Sequence, residues 1–298
     1  MNAQLVEIAG KLRDYFLVSS SMADVSIFLC GGAGRSDGDV RRGLGDAISA
    51  LKSKYRYSVH YPEDIFIELV LGHQRQDLLT LENLLARSVS AVVLLLQSPG
   101  TFTELGAFSN HDLLKDKLVV VVDPRYKKAQ SFINVGPLRY LAKETSSHVL
   151  FLEMANANLS ALVKAVGEAS RAIAVAHPPK RDLTNPIACY GLYLALLYVL
   201  DPVPRVSFAE LARTLQPDDR NLVATVAETV ANGLVNNGDA LLVSQHLHLS
   251  RKGVDTLFAS AGSARRLARL KDMLWDQRIR GLNGTLRKRY KNFWGEAA

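Results

Sequence analysis

Five short apolar runs, set between stretches of helical periodicity, constrain this chain more than anything else in it. They are VSIFLC (Val25–Cys30), SVHY (Ser58–Tyr61), AVVLLL (Ala91–Leu96), KLVVVV (Lys117–Val122) and HVLFL (His148–Leu152). Most are continuous rather than alternating, the pattern of strands covered on both faces. Helical spacing marks VRRGLGDAISALKSK after the first run, DLLTLENLLARS before the third, TELGAFSNHDLLK before the fourth and ANLSALVKAVGEASRAIAVA after the fifth. Strand and helix in alternation predict an α/β fold with a doubly wound, parallel, five-stranded sheet. With the flavodoxin-like strand order 2-1-3-4-5, a ligand binds where the winding reverses, beyond the C-terminal ends of the first and third strands. Gly31-Gly32 and Ser98-Pro99-Gly100-Thr101 follow those two ends. Both turns are built from residues that let a ligand approach the backbone.

The pattern changes after HPPKRDLTNP (His177–Pro186), whose three prolines read as a linker. A hydrophobic helix (Ile187–Leu200) is followed by SFAELARTL, where Ser207 and Glu210 have the spacing of a capping box. RNLVATVAETVANGLV then carries Leu222, Val226, Val230 and Leu234 near helical spacing, NNGDALLVSQHLHLS reads as a turn and small hairpin, and RKGVDTLFAS as a further helix. This is the outline of a winged helix-turn-helix. The expected organisation is thus a catalytic or binding domain over 1–176, a linker over 177–186, a smaller α-rich winged-helix domain over 187–264, and a tail over 265–298.

Composition excludes several classes. Apolar residues make up 48% of the chain, enough for sizeable cores. The two cysteines, Cys30 and Cys189, lie far apart in apolar runs, which argues for a reducing, cytoplasmic setting without disulfides or a cysteine metal site. No His/Cys spacing suggests a metal. The N-terminal stretch lacks the order of a signal peptide, and the longest apolar run, Ile187–Leu200, is shorter than the roughly 20 residues a bilayer requires. From Arg265 onward ten Lys/Arg face only Asp272, Asp276 and Glu296, so the net charge of +7 belongs to the tail. Arg265, Arg266, Arg269, Arg287, Lys288 and Arg289, interleaved with Trp275, Tyr290, Phe293 and Trp294, suit phosphate contact and base stacking. The competing reading is an amphipathic helix that docks Leu267, Leu270 and Leu274 on its own body.

Glu104 is the residue on which function turns. Thr101-Phe102-Thr103-Glu104 has the spacing of a capping box, so the carboxylate could simply close a helix terminus. Its position at the expected switch point supports a chemical role instead, because a helix N-terminus there offers amides to phosphate or sugar oxygens. The same potential would keep a partly enclosed carboxylate ionised, as a nucleophile requires. Glu82, on the helix leading into the third strand, is the candidate for managing a proton on a leaving base. Glu63 and Asp64, at the end of the second strand, can face a ribose hydroxyl or start a helix after Pro62.

In this order, FLCGG, YPEDIF, LLTLENLLA, SPGTFTELGAFSN and SFINVGP resemble the effector proteins of bacterial retron defence systems. Those proteins carry a nucleoside deoxyribosyltransferase-like domain followed by a winged-helix region. The match runs from about Val25 to Pro137; beyond Asn185 it is architectural. The resemblance implies that Glu104 attacks an anomeric carbon, that Glu82 assists the base, and that Ser98, Gly100 and Thr101 bind substrate oxygens. Gly31, Gly32, Glu63, Asp64 and Asn110 complete the substrate-binding set. Two departures stand out: Phe28-Leu29-Cys30-Gly31-Gly32 lacks the tyrosine of the transferases, and the second acid is glutamate rather than aspartate. Cleavage of another N-glycoside is therefore expected, with NAD or a related nucleotide as substrate rather than cofactor and water as acceptor. The resemblance also implies a reverse transcriptase with its msDNA, an RNA–DNA hybrid, as the partner that holds the effector inactive, and a homo-oligomer or higher assembly.

Two rival functions stay open at this level. A non-catalytic nucleotide sensor would use Glu104 only to hold a ribose hydroxyl. A DNA-binding regulator would use the winged helix, although its expected recognition face offers only Arg220, with Asn221, Thr225, Thr229 and Asn232 beside it and Glu228 further along.

Overall fold

AVVLL and LVVVV contain no polar atom outside the backbone, and they lie side by side at the centre of a sheet. The structure, a computed structural model, describes residues 3–18, 24–32, 40–51, 53, 55–62, 84, 88–260, 265 and 267–279. In chain order its main elements begin with helix α1 (Ala3–Arg13), strand β1 (Asp24–Cys30), helix α2 (Val40–Ser49) and strands β2 (Arg56–His60) and β3 (Ala91–Leu95). There follow α3 (Pro99–Ser109), β4 (Leu118–Val122), α4 (Arg139–Glu144), β5 (His148–Phe151) and α5 (Leu159–Ala176). The chain divides into two units, Met22–Lys180 and Met1–Ser21 with Arg181–Ala298.

In the first unit the five strands are all parallel, as the apolar runs predict, and their order, β2-β1-β3-β4-β5, is the flavodoxin-like one supposed for them. Every residue of β3 and β4 is buried. On one face Ile27, Leu29, Val93, Leu95, Val119 and Val121 pack with Leu44 and Ile48 of α2 and Val166 and Ile173 of α5. Each such side chain contributes roughly 1.5–3 kcal/mol relative to exposure, and α3 packs against β3.

The N-terminal edge of the sheet is closed. Ser26 and Ser90 exchange amide-to-hydroxyl hydrogen bonds of 3.1 and 3.0 Å, and the buried Lys117 ammonium donates to the Val89 carbonyl at 3.1 Å. Burial lowers the Lys117 pKa to about 8. The C-terminal edge, where loops leave the strands, is the side on which a site can form.

The second unit holds α1, which packs with α6 (Pro186–Leu200) and α7 (Arg205–Leu215); sequence order alone groups α1 with the sheet. It continues with α8 (Arg220–Asn236), the hairpin β7 (Ala240–Val243) and β8 (His246–Leu249), and α9 (Arg251–Ala259). A short β6 (Val203–Pro204) completes an antiparallel sheet ordered β6-β8-β7. Asn185 caps α6, accepting from the Ala188 amide at 3.1 Å, with Pro186 in the first turn. Tyr193 stacks on Phe208 with centroids 4.6 Å apart, and buried Asp239 accepts from Tyr190 and Thr256 at 2.6 and 2.8 Å. The hairpin turns on Ser244 and Gln245 at φ 47° and 65°, the left-handed pair of a type I′ turn made here without glycine.

The expected capping box at Ser207 and Glu210 does not form. Helix α7 begins three residues earlier, at Arg205 with Pro204 as N-cap, where the Arg205 amide finds an acceptor in the Gln245 carbonyl at 3.0 Å. The tail is helical over 267–279, with Leu270 and Leu274 buried, Lys271 over the Phe258 ring and Arg278 over the Tyr198 ring. Among the described residues no helix is long and apolar enough to cross a membrane.

Candidate functional site

Between β1 and β3 the direction of winding reverses, and the turns that leave these two strands meet. A Cβ added at Gly32 would lie 3.7 Å from the Gln97 Cβ and 3.8 Å from that of Ser98, an ordinary contact distance. The two turns singled out in the sequence thus form one rim, at the position a doubly wound sheet reserves for a ligand.

Helix α3 starts from this rim. Ser98 is its N-cap, in extended conformation, and Pro99 opens the first turn without losing an amide. The Ser98 hydroxyl accepts from the Thr101 amide at 3.4 Å. Thr101 Oγ1 in turn accepts from the Ser98 and Gln97 amides at 3.2 and 3.3 Å and donates to the Ser98 carbonyl at 2.8 Å. The capping box is therefore Ser98–Thr101, three residues upstream of the Thr101–Glu104 pair that the spacing suggests. Glu104 is left without a capping duty.

Thr101, Leu105 and Phe108 are buried at helical spacing, and Glu104 stands beside that face. Its Oε2 is sealed from solvent and has no hydrogen-bond partner among the described residues. Burial pushes the Glu104 carboxyl above its ordinary range, while a hydrogen bond from the Cys30 thiol and the charge of Arg41 pull it partly back. This corrects the expectation that the helix terminus holds Glu104 ionised: it lies in the second turn, and the terminal field falls off within the first.

The neighbours of Glu104 come from both sides of the rim. Cys30 ends β1. Arg41, in the first turn of α2, is buried at 5% exposure, and its stem passes Gly31 so closely that an added Cβ would sit 3.0 Å from its Cδ. Tyr61, just beyond β2, lies under Arg41 and Arg42, whose Cζ atoms are 5.4 and 3.9 Å from the ring centroid. Its hydroxyl fills the space left by Gly45, where a Cβ would be 2.0 Å away. Burial raises the Tyr61 pKa, and His60 at the end of β2 is pushed down to about 4 by burial and then by Arg56.

Of the predicted substrate-binding residues, Gly31, Gly32, Ser98 and Gly100 border this rim, and Thr101 spends its hydroxyl inside the turn. Asn110 is the exposed C-cap of α3, about 9 Å along the helix axis from Glu104, and is not brought to the rim. Glu82, Glu63 and Asp64 lie outside the described residues, as do Arg266, Arg287, Lys288 and Arg289. Arg265 and Arg269 are exposed.

Sequence reasoning missed Arg41, Tyr61 and the role of Cys30. Arg41 gave one signal, a cation in a helix's first turn, where the backbone dipole disfavours it and a nearby anion compensates. On the expected recognition helix, Thr225 and Thr229 donate to carbonyls of their own helix, and Asn232 accepts from Arg205.

A family model described as STM3845 retron effector protein matches residues 37–235. The chain is 30% identical over 261 residues, 84% of each chain, to the Escherichia coli protein named "Retron Ec86 putative ribosyltransferase/DNA-binding protein". It is also 30% identical over 134 residues to the corresponding Retron Ec73 protein of Escherichia coli, covering 43% of this chain and 42% of that one.

Proposed function

The chain belongs to the retron effector family, and on that premise we propose that it cleaves the N-glycosidic bond of NAD or a related nucleotide. The observation that carries this reading is the Glu104 carboxylate, raised by burial at the sheet's switch point with one oxygen sealed and unpaired among the described residues. An unsatisfied buried acceptor costs roughly 1–3 kcal/mol, and a helix-capping role would have satisfied it. The relatives' ribosyltransferase names point to chemistry at a ribose C1′.

In this reading Glu104 Oε attacks, or stabilises, the ribosyl C1′ as the C1′–N bond breaks. The bonding pair passes to the nicotinamide nitrogen, which is cationic in NAD, so the base leaves neutral and needs no proton. Water then bonds to C1′, displaces the carboxylate and releases a proton, giving ADP-ribose. Arg41 and Cys30 hold the carboxylate at the rim, and Gly31, Gly32, Ser98 and Gly100 cradle phosphate and ribose. Glu82 serves where a base must leave protonated, and Glu63 with Asp64 holds a ribose hydroxyl.

The second unit supports the partner reading. Its two consecutive helices, hairpin and further helix follow the order a winged helix would need, and the relatives' names include DNA binding. We assign it to docking a reverse transcriptase with its msDNA, which keeps a cytoplasmic, oligomeric effector inactive until released.

Chromatography of NAD incubated with the full chain tests the chemistry. Nicotinamide and ADP-ribose should appear in equal amounts, and Glu104→Gln should slow their release by roughly 10⁴-fold. Reversible nucleotide binding with NAD left intact would make the protein a sensor and end the enzymatic reading.

A further inference from the structure

The segment that follows β4 has an unusual surface. Phe132 is 86% exposed, Tyr126 56% and Tyr140 40%. A large aromatic left in water forfeits the burial that normally places it in a core. Here three of them occur within one stretch, interleaved with cations.

Between residues 124 and 144 the sequence holds Arg125, Lys127, Lys128, Arg139 and Lys143 against the single acid Glu144. All five cations lie on exposed positions. Arg125 is bound to Asp123, so the free charge comes mainly from the others.

The backbone under these side chains is tied down. Asn134 Nδ2 donates to the Tyr126 and Ala129 carbonyls at 2.6 and 2.7 Å, closing 126–134 into one loop that carries both Tyr126 and Phe132. The Phe132 ring rests on Gly136, where an added Cβ would come within 3.8 Å, and glycine there leaves the ring its seat. Beyond it, Leu138 and Leu141 face inward while Arg139, Tyr140 and Lys143 face out. The stretch at 134–138 packs against α3, the helix that carries Glu104.

We propose that this surface binds single-stranded nucleic acid, with bases stacked on Phe132 and Tyr126 and phosphates held by Lys127, Lys128, Arg139 and Lys143. Exposed flat rings on a fixed loop, spaced by cations, match what an unpaired strand offers: a π-face at every base and a charge at every phosphate. A duplex hides its base faces and would leave both rings unused. Apolar protein partners would not call for five cations around the rings. The inference rests on the reading above that a nucleic acid is this chain's partner, and it names where an unpaired portion is held.

Fluorescence anisotropy with labelled 20-nucleotide single-stranded DNA and RNA of mixed sequence, and with the matching duplex, tests it on the full chain. Wild type should prefer either single strand to the duplex, and the DNA and RNA arms decide which sugar is favoured. Phe132→Ala should weaken strand binding roughly 5- to 100-fold. Lys127→Ala with Lys128→Ala should lower the salt slope by about 1.4. All three positions are exposed, so folding is not at stake, and unchanged thermal melting verifies that. Strand binding that survives both sets of changes overturns this surface while leaving a nucleic-acid partner in place, with Arg265→Ala/Arg269→Ala then locating it on the tail. No strand or duplex binding at low salt overturns the partner reading as well, and loss of a protein complex in these variants would then make the patch a protein contact.

Discussion

The turns that follow β3 and β4 leave neighbouring strands of the same kind, both wholly apolar and wholly buried, yet they could hardly differ more. After β3 the chain folds inward. Ser98 and Thr101 consume each other's polar groups, and the carboxylate of Glu104 is set half-buried against Cys30 and Arg41. After β4 the chain turns outward, and a pinned loop holds rings and ammonium groups in solvent. The scaffold is common to the two. On the functions proposed above, what separates the two is whether a turn satisfies its own hydrogen bonds and buries a charge, or satisfies them and exposes a surface.

The contrast is open to attack at several points. After loss of Glu104 itself, the largest effect is expected at the clasp. Thr101→Val keeps the volume but strips the Ser98 amide of its acceptor, while the Gln97 amide keeps the Leu95 carbonyl at 2.8 Å. A stability loss of roughly 1–3 kcal/mol should follow, measured by denaturant unfolding. Cleavage should fall by roughly 10²-fold as Glu104 shifts. Full activity in this variant would mean that the turn after β3 does not position the carboxylate.

A smaller effect has a definite sign. The folded protein holds the Glu104 proton more tightly than an ordinary carboxyl, so this group favours folding below its unfolded pKa and loses that contribution as pH rises through the folded one. Glu104→Gln should therefore melt above wild type at pH 7–8, with the advantage fading as pH drops through the carboxylate range. Scanning calorimetry at several pH values measures this, and a variant less stable than wild type at pH 8 contradicts a net cost of burying this carboxylate.

The smallest effect lies on the outward turn. Phe132→Ala should leave unfolding within about 0.5 kcal/mol of wild type and NAD cleavage unchanged. A large stability loss would show that the ring packs against something and is no surface at all.

How much of this could be read beforehand varied with the range of the interaction. The strands were legible because continuous apolar runs admit few alternatives, whereas their order was supposed from the flavodoxin-like arrangement. The start of α3 was misplaced because Thr101-x-x-Glu104 and Ser98-x-x-Thr101 compete, and Pro99 favours the earlier cap. The start of α7 was misplaced because its amide is satisfied by Gln245, far along the chain. Arg41 escaped notice for the same reason: its partner stands on another helix. The exposure of Phe132 ran against its apolar setting in SFINV, and only the loop closed by Asn134 accounts for it.

The most direct test separates binding from turnover at Glu104. NAD affinity and nicotinamide release are measured on the same preparation of full-chain protein, wild type and Glu104→Gln. Release falling by roughly 10⁴-fold, with affinity changed by less than about threefold, is the expected result for a group acting only on the reacting carbon. Turnover persisting above about a tenth of wild type, or affinity and turnover falling together, would take the chemistry away from this carboxylate.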